Sequence, residues 1–162
     1  MKISIIFFSK TGYTAETAEQ IATGMRQEGE LDVRLFNLAD GEVDAAFVND
    51  SAAVLFGTPT YSANSCWQID RWFDEDDQCN LAGKLGAAFS TAAFQQGGAD
   101  IAANTLVGHM LVKGMLVYSA GCSLGQPFSH LGAVTLNDRP DINQEMAVVF
   151  GQRIARKTLE LF

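Results

Sequence analysis

Apolar and polar positions along the chain alternate between short continuous apolar runs and longer stripes at helical spacing. Residues 2–8 are mostly β-branched and aromatic and stop at Ser9-Lys10-Thr11-Gly12, as expected of a central parallel strand that ends in a turn. A helix pattern begins at once. Ala15, Ala18, Ile21, Ala22 and Met25 recur at helical spacing until Gly29, with Thr14 as the expected N-cap and Glu16 in the first turn. The order then repeats, with strands expected over 33–36, 52–56, 85–90 and 115–118 and helices over 65–76 and 99–112. Between Leu38 and Ala52 the pattern is broken by Gly41, Asp44, Asn49 and Asp50, so that connection should be short or irregular. Residues 119–143 read as one long loop. Ala147, Phe150, Ile154, Ala155, Thr158 and Leu159 draw a last helical stripe, with Arg153, Arg156 and Lys157 suited to a helix C-terminus.

Five strands alternating with about four helices predict an α/β fold, a doubly wound parallel sheet with helices on both faces, because right-handed crossovers place helices outside and bury every strand. No linker, repeat or low-complexity stretch interrupts the pattern, so residues 1–162 are expected to form a single domain.

Composition narrows what such a sheet does. Hydrophobic residues make up 48% of the 162 and charged residues 19%, enough to fill a core and too apolar for intrinsic disorder. Eleven basic against nineteen acidic side chains leave a net charge of −8, which repels a phosphate backbone, and no basic stripe overrides it. Nucleic acid is therefore not an expected partner, and no apolar run approaches the roughly 20 residues of a membrane-spanning helix. The apolar start MKISIIFF reads as a buried strand and not as a secretory leader. Cys66, Cys79 and Cys122 are odd in number and lack metal-ligand spacing, which points away from disulfides and zinc and toward a reducing cytoplasm; Cys122 is read as a small buried residue.

In an open parallel sheet, ligands bind beyond the carboxyl ends of the strands. Three loops there carry unusual residues. After the first strand, Ser9, Lys10, Thr11, Gly12, Tyr13 and Thr14 offer hydroxyls, a glycine that admits close backbone approach, and a helix N-terminus, which together make a phosphate cradle. Neither the GxxxxGK[ST] nor the GxGxxG spacing is present, so a phosphate monoester suits it better than a triphosphate. After the third strand, Gly57-Thr58-Pro59-Thr60-Tyr61-Ser62-Ala63-Asn64 is stiffened by proline and carries an aromatic residue for a planar ring. After the fourth, Ser90-Thr91-Ala92-Ala93-Phe94-Gln95-Gln96-Gly97-Gly98 leaves room for that ring against the backbone.

The SxTGxT loop resembles the signature of flavodoxin-like proteins, and GTPTYSANSCWQIDRWFD with FSTAAFQQGGADIAANTL looks like the flavin-binding segments of the tryptophan-repressor-binding-protein type (WrbA-type) NAD(P)H:quinone oxidoreductases. The likeness spans nearly the whole chain. It implies a flavodoxin-like five-stranded sheet in the order 2-1-3-4-5 and FMN as cofactor. Ser9, Lys10, Thr11, Gly12, Tyr13 and Thr14 would hold the FMN phosphate, Pro59, Thr60, Tyr61 and Ser62 would line one side of the flavin, and Ser90, Thr91, Ala92, Phe94, Gln95 and Gly97 the other. The phosphate loop is closer to that of electron-transfer flavodoxins, Lys113 stands where the reductases often carry histidine, and their assembly insertion is missing.

No catalytic side chain and no metal ligand set is expected, since hydride transfer through a flavin needs no protein acid or base. The leading expectation is an oxidoreductase that takes electrons from NAD(P)H through FMN to a quinone; the rival is an electron carrier without NAD(P)H turnover, with a homo-oligomer open to either. His109 falls on a helix, and His130 falls in a loop that can fold over the flavin edge. Trp67 and Trp72 face different sides of their helix. Asp74-Glu75-Asp76-Asp77 places about half the net charge at one helix end, where it suits either solvent or a basic redox protein.

Overall fold

The computed structural model describes residues 1–162, apart from the side chain of Asp141. Its strands are β1 (Lys2–Phe7), β2 (Asp32–Asn37), β3 (Ala53–Pro59), β4 (Leu85–Ala92), β5 (Leu116–Val117) and β6 (Ala133–Leu136). The helices are α1 (Tyr13–Arg26), α2 (Ala45–Asp50), α3 (Trp67–Glu75), α4 (Ala99–Val112) and α5 (Pro140–Leu161). All strand pairs are parallel, in the order β2-β1-β3-β4-β5, with β6 also on β4.

Alternation along the strands divides the core in two, as a pleat with both faces covered requires. Ile3, Ile5, Phe7, Leu55, Leu85 and Phe89 pack with Ile21 and Met25 of α1 and Phe150 and Ile154 of α5. Ile6, Val54, Phe56 and Ala88 face the other way, onto Ile69 and Phe73 of α3 and Leu106 and Met110 of α4.

Four expectations are corrected. The sheet has six strands, because β5 shrinks to two residues and the segment read as a loop contains β6. β3 occupies one edge of β4 from Leu85 to Thr91, so β5 at Leu85–Gly86 and β6 at Phe89–Ala92 lie end to end along the other. They are one edge strand interrupted by an excursion over 118–132. Second, the irregular connection before β3 holds a six-residue helix, α2, whose N-cap Asp44 accepts from the Phe47 amide at 3.0 Å. Third, α1 is capped by Gly12, not Thr14; the Thr14 hydroxyl instead pairs with that of Thr91 on β4 at 2.9 Å. Fourth, Cys122 is exposed in the excursion, and it is Cys66 that is buried.

The excursion is held from α5. The buried Arg153 guanidinium donates to the carbonyls of Leu124, Gly125, Gln126 and Pro127 at 2.6–3.2 Å. Among the described residues it has no carboxylate partner. Also among the described residues, no helix is long and apolar enough to cross a membrane.

Candidate functional site

Because the strands are parallel, the ends of β1, β3 and β4 share one edge, with Phe7 opposite Gly57 and Gly57 opposite Phe89. The three loops singled out in the sequence therefore emerge side by side.

The first is anchored at its root and open at its tip. Asn37, at the end of β2, accepts from the Ser9 amide at 2.9 Å and donates to the Ser9 carbonyl at 3.2 Å. The Ser9 hydroxyl accepts from the Ala15 amide at 3.1 Å, which leaves its own proton free to donate. Gly12 sits at φ +96°, a left-handed conformation that a side chain would strain, and nothing stands within 4 Å of where a Cβ would be. Lys10, Thr11 and Gly12 are exposed. Among the described residues, no protein acceptor faces the amides of residues 10–14. Several unpartnered N–H groups at the positive end of a helix form an anion site. Tyr13 leans away from this cluster; its phenol accepts from the Asn143 amide at 2.7 Å, and burial pushes its pKa up.

The second loop is wired on both sides of its tip. Tyr61 and Asn64 exchange two backbone bonds of 2.9 and 3.0 Å around Ser62 and Ala63, which lie at φ 51° and 61°. Left-handed backbone at non-glycine residues costs on the order of 1 kcal/mol each and persists only where its surroundings hold it. The Thr58 hydroxyl accepts from the Cys66 amide at 2.9 Å and donates to the Pro59 carbonyl at 2.8 Å. The Thr60 amide donates to the Thr91 carbonyl at 2.8 Å, joining this loop to the third. By contrast, Thr60 Oγ1 is buried and has no hydrogen-bond partner. A buried hydroxyl without a partner is costly, and a ligand atom at this edge would satisfy it.

In the third loop the residues divide. Ser90 is buried and its hydroxyl donates to the Ala99 carbonyl at 2.6 Å, tying the strand to α4. Ala92 is also buried. Phe94 and Gln95 are exposed, as are Tyr61 and Ser62 on the second loop. Gly98 at φ +89° lies so close to Ala63 that an added Cβ would sit 2.8 Å from its Cα.

A model of the flavodoxin family matches residues 5–106. The chain belongs to the flavodoxin family. A flavodoxin from Clostridium saccharobutylicum is 48% identical over 162 residues and covers all of both chains. A protein named NAD(P)H dehydrogenase (quinone) from Solidesulfovibrio magneticus is 26% identical, covering 85% of this chain and 78% of its own. Among solved structures, a flavodoxin, WrbA-like protein from Agrobacterium tumefaciens superposes with a TM-score of 0.78 at 21% identity over 98% of each chain. A Fusobacterium nucleatum flavodoxin bound to flavin mononucleotide gives 0.71 at 15% identity over 96% of this chain and 98% of its own.

Within this flavodoxin fold the sequence reading leaves out Asn37 as the anchor of Ser9, and it takes Asn64 as a loop residue without a role. The partners that give them these roles, Ser9 and Thr105, are 28 and 41 residues away, beyond the reach of a local pattern. His109 pairs with Asp70 of α3 at 3.3 Å, and His130 is exposed in the excursion. Trp67 is 62% exposed, whereas Trp72 packs on Phe56 with ring centroids 5.5 Å apart. A cleft of about 560 Å³ lies between Leu38–Ala45 and α3, walled by Trp67, Trp72 and Glu75–Gln78, and none of the candidate flavin residues lines it.

Proposed function

We propose that this protein binds FMN at the three-loop edge and serves as an electron carrier between redox partners. The observation that carries the reading is the row of unpartnered amides over residues 10–14 at the start of α1, beside the orphaned Thr60 hydroxyl. In this reading those amides, the hydroxyls of Ser9 and Thr11 and the charge of Lys10 hold the terminal phosphate. Thr60 Oγ1 supplies a hydrogen bond that the protein leaves unused, and the exposed Tyr61 and Phe94 rings offer apolar surface to a planar ligand. Bound FMN would supply the redox chemistry, accepting and releasing electrons singly or in pairs.

The full-length likeness to a flavodoxin supports the carrier over the enzyme. The acidic helix end at Asp74–Asp77 is suited to a basic protein partner through long-range attraction. A second reading, an NAD(P)H:quinone oxidoreductase, draws on the more distant relatives of that name. One experiment separates them. The purified chain is titrated with FMN, followed by quenching of flavin fluorescence, and NADH or NADPH is then added without oxygen. We expect FMN to bind and its visible absorbance in the oxidised form to persist until a reductase protein is supplied. Bleaching by the nicotinamide alone overturns the carrier in favour of the reductase, and failure to take up FMN overturns both.

A further inference from the structure

Two residues of α4 hold the strained Tyr61–Asn64 turn and the residue after it from outside, one directly and one through Asp70. The Thr105 hydroxyl donates to Asn64 Oδ1 at 2.6 Å, more closely than to its own helix at the Ile101 carbonyl, 3.2 Å. Asn64 Oδ1 also accepts from the Ser65 amide at 2.8 Å, so one oxygen closes the turn and ties it to α4. One helical turn further along, His109 Nε2 meets Asp70 Oδ1 at 3.3 Å, and that same oxygen accepts from the Ser65 hydroxyl at 2.6 Å. His109 is held in plane by Phe73, stacked with ring centroids 4.8 Å apart. Residues spaced by four share a helix face, so from one rigid element Thr105 grips the loop at Asn64 while His109 grips Asp70 of α3, which in turn holds Ser65. The same helix begins at Gly98, against Ala63.

We propose that Thr105 and His109 are positioning residues that fix the turn bearing Tyr61 and Ser62, and thereby set how tightly a flavin ring is held and at what potential it is reduced. The proposal rests on the FMN reading above. Neither residue touches the candidate cofactor edge; each acts through Asn64 or Asp70. The geometry makes α4 a common brace for both walls of the site. A potential measures the difference between the affinities for the oxidised and reduced ring, so a turn that contacts the two states differently shifts it when the turn moves.

Four variants test this. Thr105→Val and His109→Leu remove the donors, while Thr105→Ser and His109→Gln keep a hydroxyl and a side-chain N–H. Amide hydrogen exchange is followed across residues 61–66 in the FMN-free protein, and FMN affinity and midpoint potential in the loaded one. Thr105→Val and His109→Leu are each expected to raise exchange in that segment and weaken FMN binding by about threefold to tenfold, the span of one hydrogen bond. They should also shift the potential, and the two conservative variants should restore it. Exchange and potential unchanged in the donor-less variants overturn the proposal, as does faster exchange spread evenly over α3 and α4 with the potential unmoved. A wild-type chain that takes up no FMN overturns the functional reading and, with it, the role of these residues toward a flavin. Unchanged variants beside a wild type that binds FMN overturn the brace alone.

Discussion

The loops after β1 and β3 solve different problems within one edge of the sheet. The first is pinned at its root by Asn37 and at its far end by α1, and between these points its amides have no protein partner. The second ties Thr58, Asn64, Ser65 and Asp70 into hydrogen bonds with the surrounding protein and leaves one buried hydroxyl over. A dianionic group is strongly hydrated and gains most from several free donors at a helix end. A planar ring gains most from a stiff wall that has already lost its conformational entropy. Spare donors and spent donors are thus two kinds of preorganisation.

The contrast breaks most sharply at the open loop. Thr11→Asp adds a carboxylate beside the expected phosphate, and repulsion at about 4 Å amounts to at least about 1 kcal/mol per charge even in water and several-fold more near a protein surface. FMN affinity should fall by more than about a hundredfold in a fluorescence titration, while urea unfolding of the FMN-free protein stays near wild type, because Thr11 is exposed. In the wired loop the effect should be smaller and of the opposite kind. Gly98→Ala places a methyl against Ala63 in a left-handed conformation, which should cost about 2–3 kcal/mol in unfolding free energy and weaken FMN by about tenfold.

The mildest test uses thiols. Burial raises the pKa of Cys66, which closes the wired loop, and pushes Cys79 up to about 12, so both stay protonated at pH 8 while the exposed Cys122 is free to react. A thiol reagent at pH 8 should label Cys122 first. Labelling of Cys66 should track opening of the loop and quicken in Gly98→Ala; equal rates in the two proteins would deny that the loop is stiffened by its contact with Gly98.

The parallel sheet was legible because strands buried on both faces are written as unbroken apolar runs, as in Ile5–Phe8 and Ala53–Phe56. The interrupted edge strand was not. Two residues at Leu116 and four at Ala133 are too short to show a period, and only their shared partner β4 makes them one strand. The phosphate loop was legible through its residue types, yet the cap moved to Gly12 because a positive φ leaves no trace in the sequence beyond the glycine itself. Thr14 and Ser90 look like ligand groups in one dimension. In three dimensions their hydroxyls serve Thr91 and Ala99, contacts that depend on how β4 and α4 come together.

Arg153 gives the excursion over 118–132 an unusual character. Four consecutive carbonyls converge on one guanidinium, an arrangement that in host–guest chemistry would be called an ionophore around its ion. Here the guest is tethered to α5. Without it, four carbonyls of the excursion would lose their shared donor, so the shape of this segment is coupled to the docking of the final helix. The last helix thereby shapes the gap between the two pieces of the sheet's outer strand.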